Sequence, residues 1–404
     1  MTQNIVTFVG ENENRVLRVT NGQLMDMVRP YGIEGHVIDL HDPDWAKQLE
    51  PLIRQGIVFA FGSAGIGAAL SSEGKNLWDT IQVPFISCLA DHPAQMPSNH
   101  NIQARYVVNG YHYREHFDVQ KQIIRSPQMS MMLPHGIASN PKCDEIPWSK
   151  RSYRIVFLKS GGDPEARRAQ WVGWPSKFRK ILEESSKQAL QMATGNITPI
   201  VMDCLGSYGV EFGERRDILL SILNEVDWYV RLVRLTMMAR ALCRLKADIF
   251  GARWDHIDHT KSRARFHPGV DAALVQGLFA DSKFIVNVTQ NVSSGIHERV
   301  PNGFAAKACV VSDDNAYTLS NFTELPSYFG FSWLDPDWED KLVAHLEGDR
   351  AYDDVLQPAF ELSNRDFNGI KLMQTMLEIA QVVRFGQQTN TVRPHSFNSQ
   401  RLAE

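Results

Sequence analysis

Residues 282–314 read SKFIVNVTQNVSSGIHERVPNGFAAKACVVSDD. Phe284, Ile285, Val286 and Val288 form a β-branched apolar run, short enough for a buried parallel strand. Asn291 to Gly295 follow as a polar, flexible turn. His297, Glu298 and Arg299 then head a small-residue helix, Val300 to Lys307, with Pro301 near its first turn, where a missing N–H is tolerated. Ala308 to Ser312 supply the next buried strand, and Asp313, Asp314 and Asn315 end it with turn formers. A strand–loop–helix–strand unit presents loop N–H groups at the carboxyl edge of an open α/β sheet, where anions bind. A histidine, a glutamate and an arginine in that one corner point to a nucleotide or phosphate site.

Outward from this stretch the chain keeps the same style. In the N-terminal half, strands are expected at 5–9, 14–19, 36–40, 57–61, 83–89, 105–108 and 129–133. Helices are expected from Asn21, as a cap, through Val28, and at 44–54, 74–80 and 116–124. Residues 138–152 are polar with two prolines and read as a linker. A second α/β pattern follows, with strands at 153–158 and 247–250 before the opening stretch. Its helices are expected at 165–171, 176–192, 218–245, 270–280, 337–348 and 366–386. Strands alternating with helices imply parallel sheets with right-handed crossovers. The domains expected are 1–150 and 151–387, followed by a polar, mobile tail at 388–404.

The 404 residues exceed one ordinary core and fit two domains. With 43% hydrophobic and 22% charged residues the composition is that of a soluble globular protein. A net charge of −4 argues against a general nucleic-acid binder or anionic-membrane binder. The five cysteines are scattered, odd in number and without a CxxC pair, which suits buried thiols in a reducing cytosol. No secretion signal or membrane span is apparent, so a cytoplasmic protein without a transmembrane segment is expected.

The run Gly295–Asp313, GIHERVPNGFAAKACVVSD, resembles the donor-site signature of GT-B glycosyltransferases, nearest to the spore-protein CgeB-like group. The resemblance is specific over the opening stretch and weaker over the remainder. It implies two Rossmann-like domains facing across a cleft. The first would hold the acceptor and the second a nucleotide-diphosphate sugar such as a UDP-sugar, and the last helix would pack back on the first domain. Two positions depart from the pattern. Asn302 stands where many relatives carry a ribose-binding carboxylate, and Lys307-Ala308 replaces a small residue plus glycine. Nucleotide preference is left open by these departures.

The donor-site candidates are Gly295, His297, Glu298, Arg299 and Asn302. Arg299 or His297 would neutralise a departing diphosphate, and Glu298 or Asn302 would take a ribose hydroxyl. Gly161 and Gly162, after the first strand of the second half, let backbone approach a phosphate. Arg253 would reach phosphate, and Trp254 would stack a base or sugar. No metal and no other cofactor is expected, because protein cations carry the leaving-group charge in this fold. Asp335-Pro336-Asp337 has the letters of a metal motif but reads as a turn before a helix.

An inverting transfer needs a general base within reach of the acceptor hydroxyl. Asp91 is the candidate, with His92 or His135 as alternates, each at the end of a buried strand. Gly65 and Gly67 would let a loop close over the donor. A dinucleotide reading of Gly62, Gly65 and Gly67 fails on spacing. The function expected is metal-independent glycosyl transfer to an unidentified acceptor. A nucleotide-sugar epimerase and a non-catalytic nucleotide-binding module stand as alternatives.

Overall fold

The computed structural model describes residues 3–10, 15–213, 215–348 and 350–389, with the side chains of 388 and 389 left aside. The expected polar tail lies outside the described residues from 390 on. Two compact units divide the chain at 138/139 and 365/366, so the segment from Asp366 on belongs with the first. The expected boundary at 150/151 therefore falls inside the second unit.

The first unit is a parallel sheet of β1 (Gln3–Val9), β2 (Ile33–Asp39), β3 (Ile57–Ser63), β6 (Phe85–Leu89), β7 (Val107–Tyr111) and β8 (Met129–Met132), in the order β2-β1-β3-β6-β7-β8. A two-residue ribbon, β4 (Ser71–Ser72) and β5 (Lys75–Asn76), lies between β3 and β6 in sequence. Every residue of β6 and β7 is buried, as expected for strands covered on both faces. The stretch expected as a strand at 14–19 is instead helical from Val16, in the helix Val16–Val28. Leu24, Met25 and Val28 of that helix enter the core, and burial of this face overrides the β-branched local pattern. Asn21 does not cap it. Its side chain is buried inside the helix, donating to Thr7 Oγ1 at 2.9 Å and accepting from Ser63 Oγ at 3.0 Å.

The helix Gly369–Thr389 completes this core. Leu372, Met373, Met376, Ile379, Ala380 and Val383 form one apolar stripe and pack with the sheet's residues. Arg384 Nη2 donates to the carbonyls of Ile57 and Val58, each at 2.7 Å.

The second unit is a parallel sheet of β9 (Tyr153–Leu158), β10 (Asp248–Phe250), β11 (Arg265–His267), β12 (Ser282–Asn287), β13 (Cys309–Asp313) and β14 (Tyr328–Phe331), ordered β11-β10-β9-β12-β13-β14. The short edge strands β11 and β14, and the helices Thr198–Ser207 and Gln357–Asp366, have no counterpart in the sequence expectation. The segment expected as a linker is anchored by two residues its polar composition hides. Trp148 packs on Phe284 and Tyr352 with ring centroids 5.6 and 5.0 Å away. The buried Arg151 donates to the carbonyls of Ile146, Cys143, Ser282 and Ala306. No helix among the described residues is long and apolar enough to cross a membrane.

Candidate nucleotide site

The centre of the second sheet positions the candidate site. β12 lies between β9 and β13, so their carboxyl ends adjoin. Asp313, fully buried at the end of β13, accepts from Thr289 N at 2.7 Å, Thr194 Oγ1 at 2.5 Å and Trp333 Nε1 at 2.9 Å. Asn315 Nδ2 donates to the carbonyls of Val292 and Gly295 at 3.1 and 2.8 Å. Asn291 is gripped from the long helix Arg216–Leu242. Its Nδ2 donates to Asp227 Oδ1 at 3.0 Å, and its Oδ1 accepts from Arg234 Nη1 at 3.2 Å. The turn expected to be flexible is therefore pinned from the long helix and from Asn315 after β13.

His297 is 5% exposed. Its Nδ1 lies 2.8 Å from Glu298 Oε2, and its Nε2 lies 3.1 Å from Arg299 Nη2. A guanidinium can only donate, so Nε2 is the acceptor; Nδ1 faces both the Arg299 backbone N–H at 3.3 Å and Glu298 Oε2 at 2.8 Å, and the shorter contact to the carboxylate places the proton on Nδ1. Burial, with the Arg299 charge, lowers the imidazole pKa to about 3. His297 is here a neutral hydrogen-bonding group, and the positive charge of the triplet rests on Arg299. The Glu298 side chain is 56% exposed, so only desolvation by its immediate neighbours opposes ionisation, and His297 and Arg299 hold the carboxyl below the usual range. The Arg299 guanidinium reaches inward to Asn287 Oδ1 at 2.8 Å. Asn302 Nδ2 donates to the Glu298 carbonyl at 2.8 Å, fastening the helix Arg299–Ala305 to the triplet.

The end of β9 supplies a cation that the sequence analysis passed over. Lys159 comes near enough to His297 for its charge to depress the imidazole further. The loop after it interlocks with the loop after β10. Gly161 N donates to the Ala252 carbonyl at 2.9 Å, Arg253 Nε to the Gly161 carbonyl at 3.2 Å, and Trp254 Nε1 to the Lys159 carbonyl at 3.1 Å. Gly251 (φ +144°) passes so close that a Cβ would meet the Lys159 carbonyl oxygen at 2.4 Å. Trp254 is 3% exposed, its ring wedged beneath Gly161. It is no stacking platform; it holds the loop, because the pocket between Phe157, Phe266 and Gly161 takes its whole indole. Leu232 closes the other side at Gly162. In Gly161→Ala the new Cβ would lie 2.4 Å from the Trp254 ring. We expect about 1–3 kcal/mol of destabilisation from that overpacking, read by urea denaturation, with a changed near-UV signal from the displaced indole.

In the first unit, Asp91 and His92 follow β6 and His135 follows β8. Asp91 is half-buried and His92 buried. The His92 Nδ1 accepts from Ala94 N at 3.2 Å, which leaves its proton on Nε2. Around them stands a histidine cluster that the sequence did not disclose. The His92 ring meets His116 at 5.2 Å, His116 meets Tyr113 at 5.0 Å, and His135 stacks on His112 at 4.7 Å. His100 Nδ1 pairs with Tyr111 Oη at 2.7 Å, and burial followed by the His92 charge lowers its pKa to about 3. Parallel strand ends gather these residues from 92 to 135, which no local spacing reveals.

No protein-family model matches the chain, and no curated protein matches it in sequence. Solved structures do. An α-glucosyltransferase in complex with UDP-glucose and DNA containing an abasic site is 10% identical, with a TM-score of 0.51 over 94% of this chain and 99% of that one. An α-glucosyltransferase in complex with UDP and a 13-mer DNA containing an HMU base is 10% identical, with a TM-score of 0.50 over 94% and 100%. Anabaena HepE in complex with UDP and glucose is 13% identical, with a TM-score of 0.45 over 94% and 100%. The likeness to the first two is one of fold: two Rossmann-like units, as in GT-B glycosyltransferases.

Proposed function

We propose that this chain is a glycosyltransferase that takes a nucleoside-diphosphate sugar at the carboxyl ends of β9 and β12. The carrying observation is the placement of two cations beyond the carboxyl ends of adjoining parallel strands, Lys159 directly after β9 and Arg299 at the head of the helix that follows β12, with Arg299 Nη2 3.1 Å from His297 Nε2. Lys159 and Arg299 provide charge for a departing diphosphate, so the transfer needs no metal ion. His297 offers a hydrogen bond rather than charge, and Glu298 holds its tautomer. Asp91 accepts the proton of the acceptor hydroxyl, and the sequence resemblance to the CgeB-like group supports the same assignment of units.

The test is binding of UDP, GDP and UDP-glucose by titration calorimetry. Lys159→Ala and Arg299→Ala are each expected to weaken the preferred nucleotide about 10- to 100-fold, the size of a lost charge-assisted contact. Absence of binding by all three ligands at millimolar concentration would end the proposal. Acceptor-dependent release of the nucleotide, unchanged by a chelator, is the expected turnover. Conversion of the sugar without acceptor would mark an epimerase, and binding without turnover a binding module. Asp91→Asn is expected to lower kcat by about 10²–10⁴ while leaving nucleotide affinity unchanged.

A further inference from the structure

A single crossover helix suffices to join neighbouring parallel strands, yet four helices lie between β9 and β10: Pro164–Ala169, Ser176–Leu190, Thr198–Ser207 and Arg216–Leu242. They line an open recess of about 610 Å³. One wall is a stripe of the second helix and its end, in which Lys180, Glu183, Glu184, Lys187 and Gln191 recur at helical spacing. The stripe is about 16 Å long at 1.5 Å per residue. Tyr208 and Tyr229 line the recess from the other helices. Ser186, 1% exposed, also lines it, and among the described residues its hydroxyl has no hydrogen-bond partner.

We propose that this recess binds an uncharged oligosaccharide chain. Its cations, Lys180, Lys187 and Arg168, alternate with the carboxylates Glu183 and Glu184, so a polyanion meets repulsion from one set and a polycation from the other. A neutral polyol is both donor and acceptor at every hydroxyl and satisfies both sets. The phenol rings add amphipathic faces for sugar rings to rest on. The far end of the recess abuts the nucleotide loop. Arg234 Nη2 donates to the carbonyls of Ala189 and Met192, beside Gln191, while its Nη1 donates to Asn291. That this saccharide is the grown product of the transfer rests on the transferase reading; the binding itself does not.

The full chain would be titrated with hexasaccharides of α-linked glucose, β-linked glucose and N-acetylglucosamine, with a heparin hexasaccharide, and with a 13-mer DNA duplex. UDP binding and thermal unfolding would be recorded on the same preparations. The expected result is binding of at least one neutral hexasaccharide, weakened tenfold or more in Tyr208→Ala and in Glu183→Ala/Lys187→Ala, with UDP affinity and unfolding temperature unchanged. Silence of all neutral saccharides at about 10 mM, or tighter binding of heparin or DNA, overturns the proposal. Saccharide binding without UDP binding upholds it and removes the transferase reading instead.

Discussion

Asp313→Ala is expected to destabilise the second unit by about 3–5 kcal/mol and to abolish nucleotide binding with it. The carboxylate is fully buried and accepts from a backbone amide, a threonine hydroxyl and an indole N–H, drawn from three separate segments. Truncation leaves the Thr289 amide and the Thr194 hydroxyl buried, and the half-buried Trp333 indole, without that acceptor, and each fully buried group costs about 1–3 kcal/mol. The total stays near the range for a broken buried charge because the loop relaxes toward water. Thr289 opens the stretch that ends at His297, so its release frees the triplet from β12. Thr194→Val removes one donor with its partner's acceptor still served twice, and is expected to cost about 1 kcal/mol. Urea denaturation and UDP titration on the same samples decide the matter. An Asp313→Ala protein within about 1 kcal/mol of the parent would show that the carboxylate does not organise the loop.

The sequence made the strands of this region legible because β12 and β13 are runs of β-branched residues with little competing pattern. The His297–Glu298–Arg299 triplet was legible for the same local reason. What lay beyond local spacing was missed. Lys159 joins Arg299 only because β9 sits beside β12 in the sheet, and strand order is a tertiary property. The charge state of His297 depends on burial and on which nitrogen faces Arg299, neither of which is written in the motif. Trp254 looked like a surface for a base because tryptophan beside arginine and glycine often is; here the absent Cβ of Gly161 makes the space that swallows it. In the first unit, Val16 to Val19 carry β-branched residues that local pattern assigns to a strand, while packing on the sheet extends the helix expected from Asn21 back to Val16. Residue type announced the chemistry at the site, and neighbourhood decided what each group does with it.

Acidification from pH 6.5 is expected to be the largest single lever on stability. His100 in the first unit and His297 in the second are buried and neutral, each with a folded pKa of about 3. An unfolded histidine titrates near 6.5, so below that pH the unfolded chain takes up protons that the folded chain refuses. The stabilisation is thus complete above pH 6.5 and is lost progressively as pH falls toward 3. At pH 5 each histidine withdraws about 2 kcal/mol, a large part of the roughly 5–15 kcal/mol that holds an ordinary domain. His345, lowered to about 4 by burial and then Arg350, adds in the same direction, discounted for its partial exposure. Glu298 adds in the same direction, discounted for its exposed side chain, since its depressed carboxyl stays ionised while the unfolded one protonates. Tyr111 Oη pairs with His100 and the His92 charge opposes its protonation, while Asp91, which lines the same small cavity, is not among the causes that shift it. His100→Gln keeps a polar partner for Tyr111 and removes the titration, so it is expected to flatten the pH dependence of the first unit alone. Urea midpoints between pH 7.5 and 4.5, with hydrogen exchange to assign each unit, provide the measurement. Midpoints that stay level down to pH 5 would mean that these imidazoles find a way to be protonated in the folded chain.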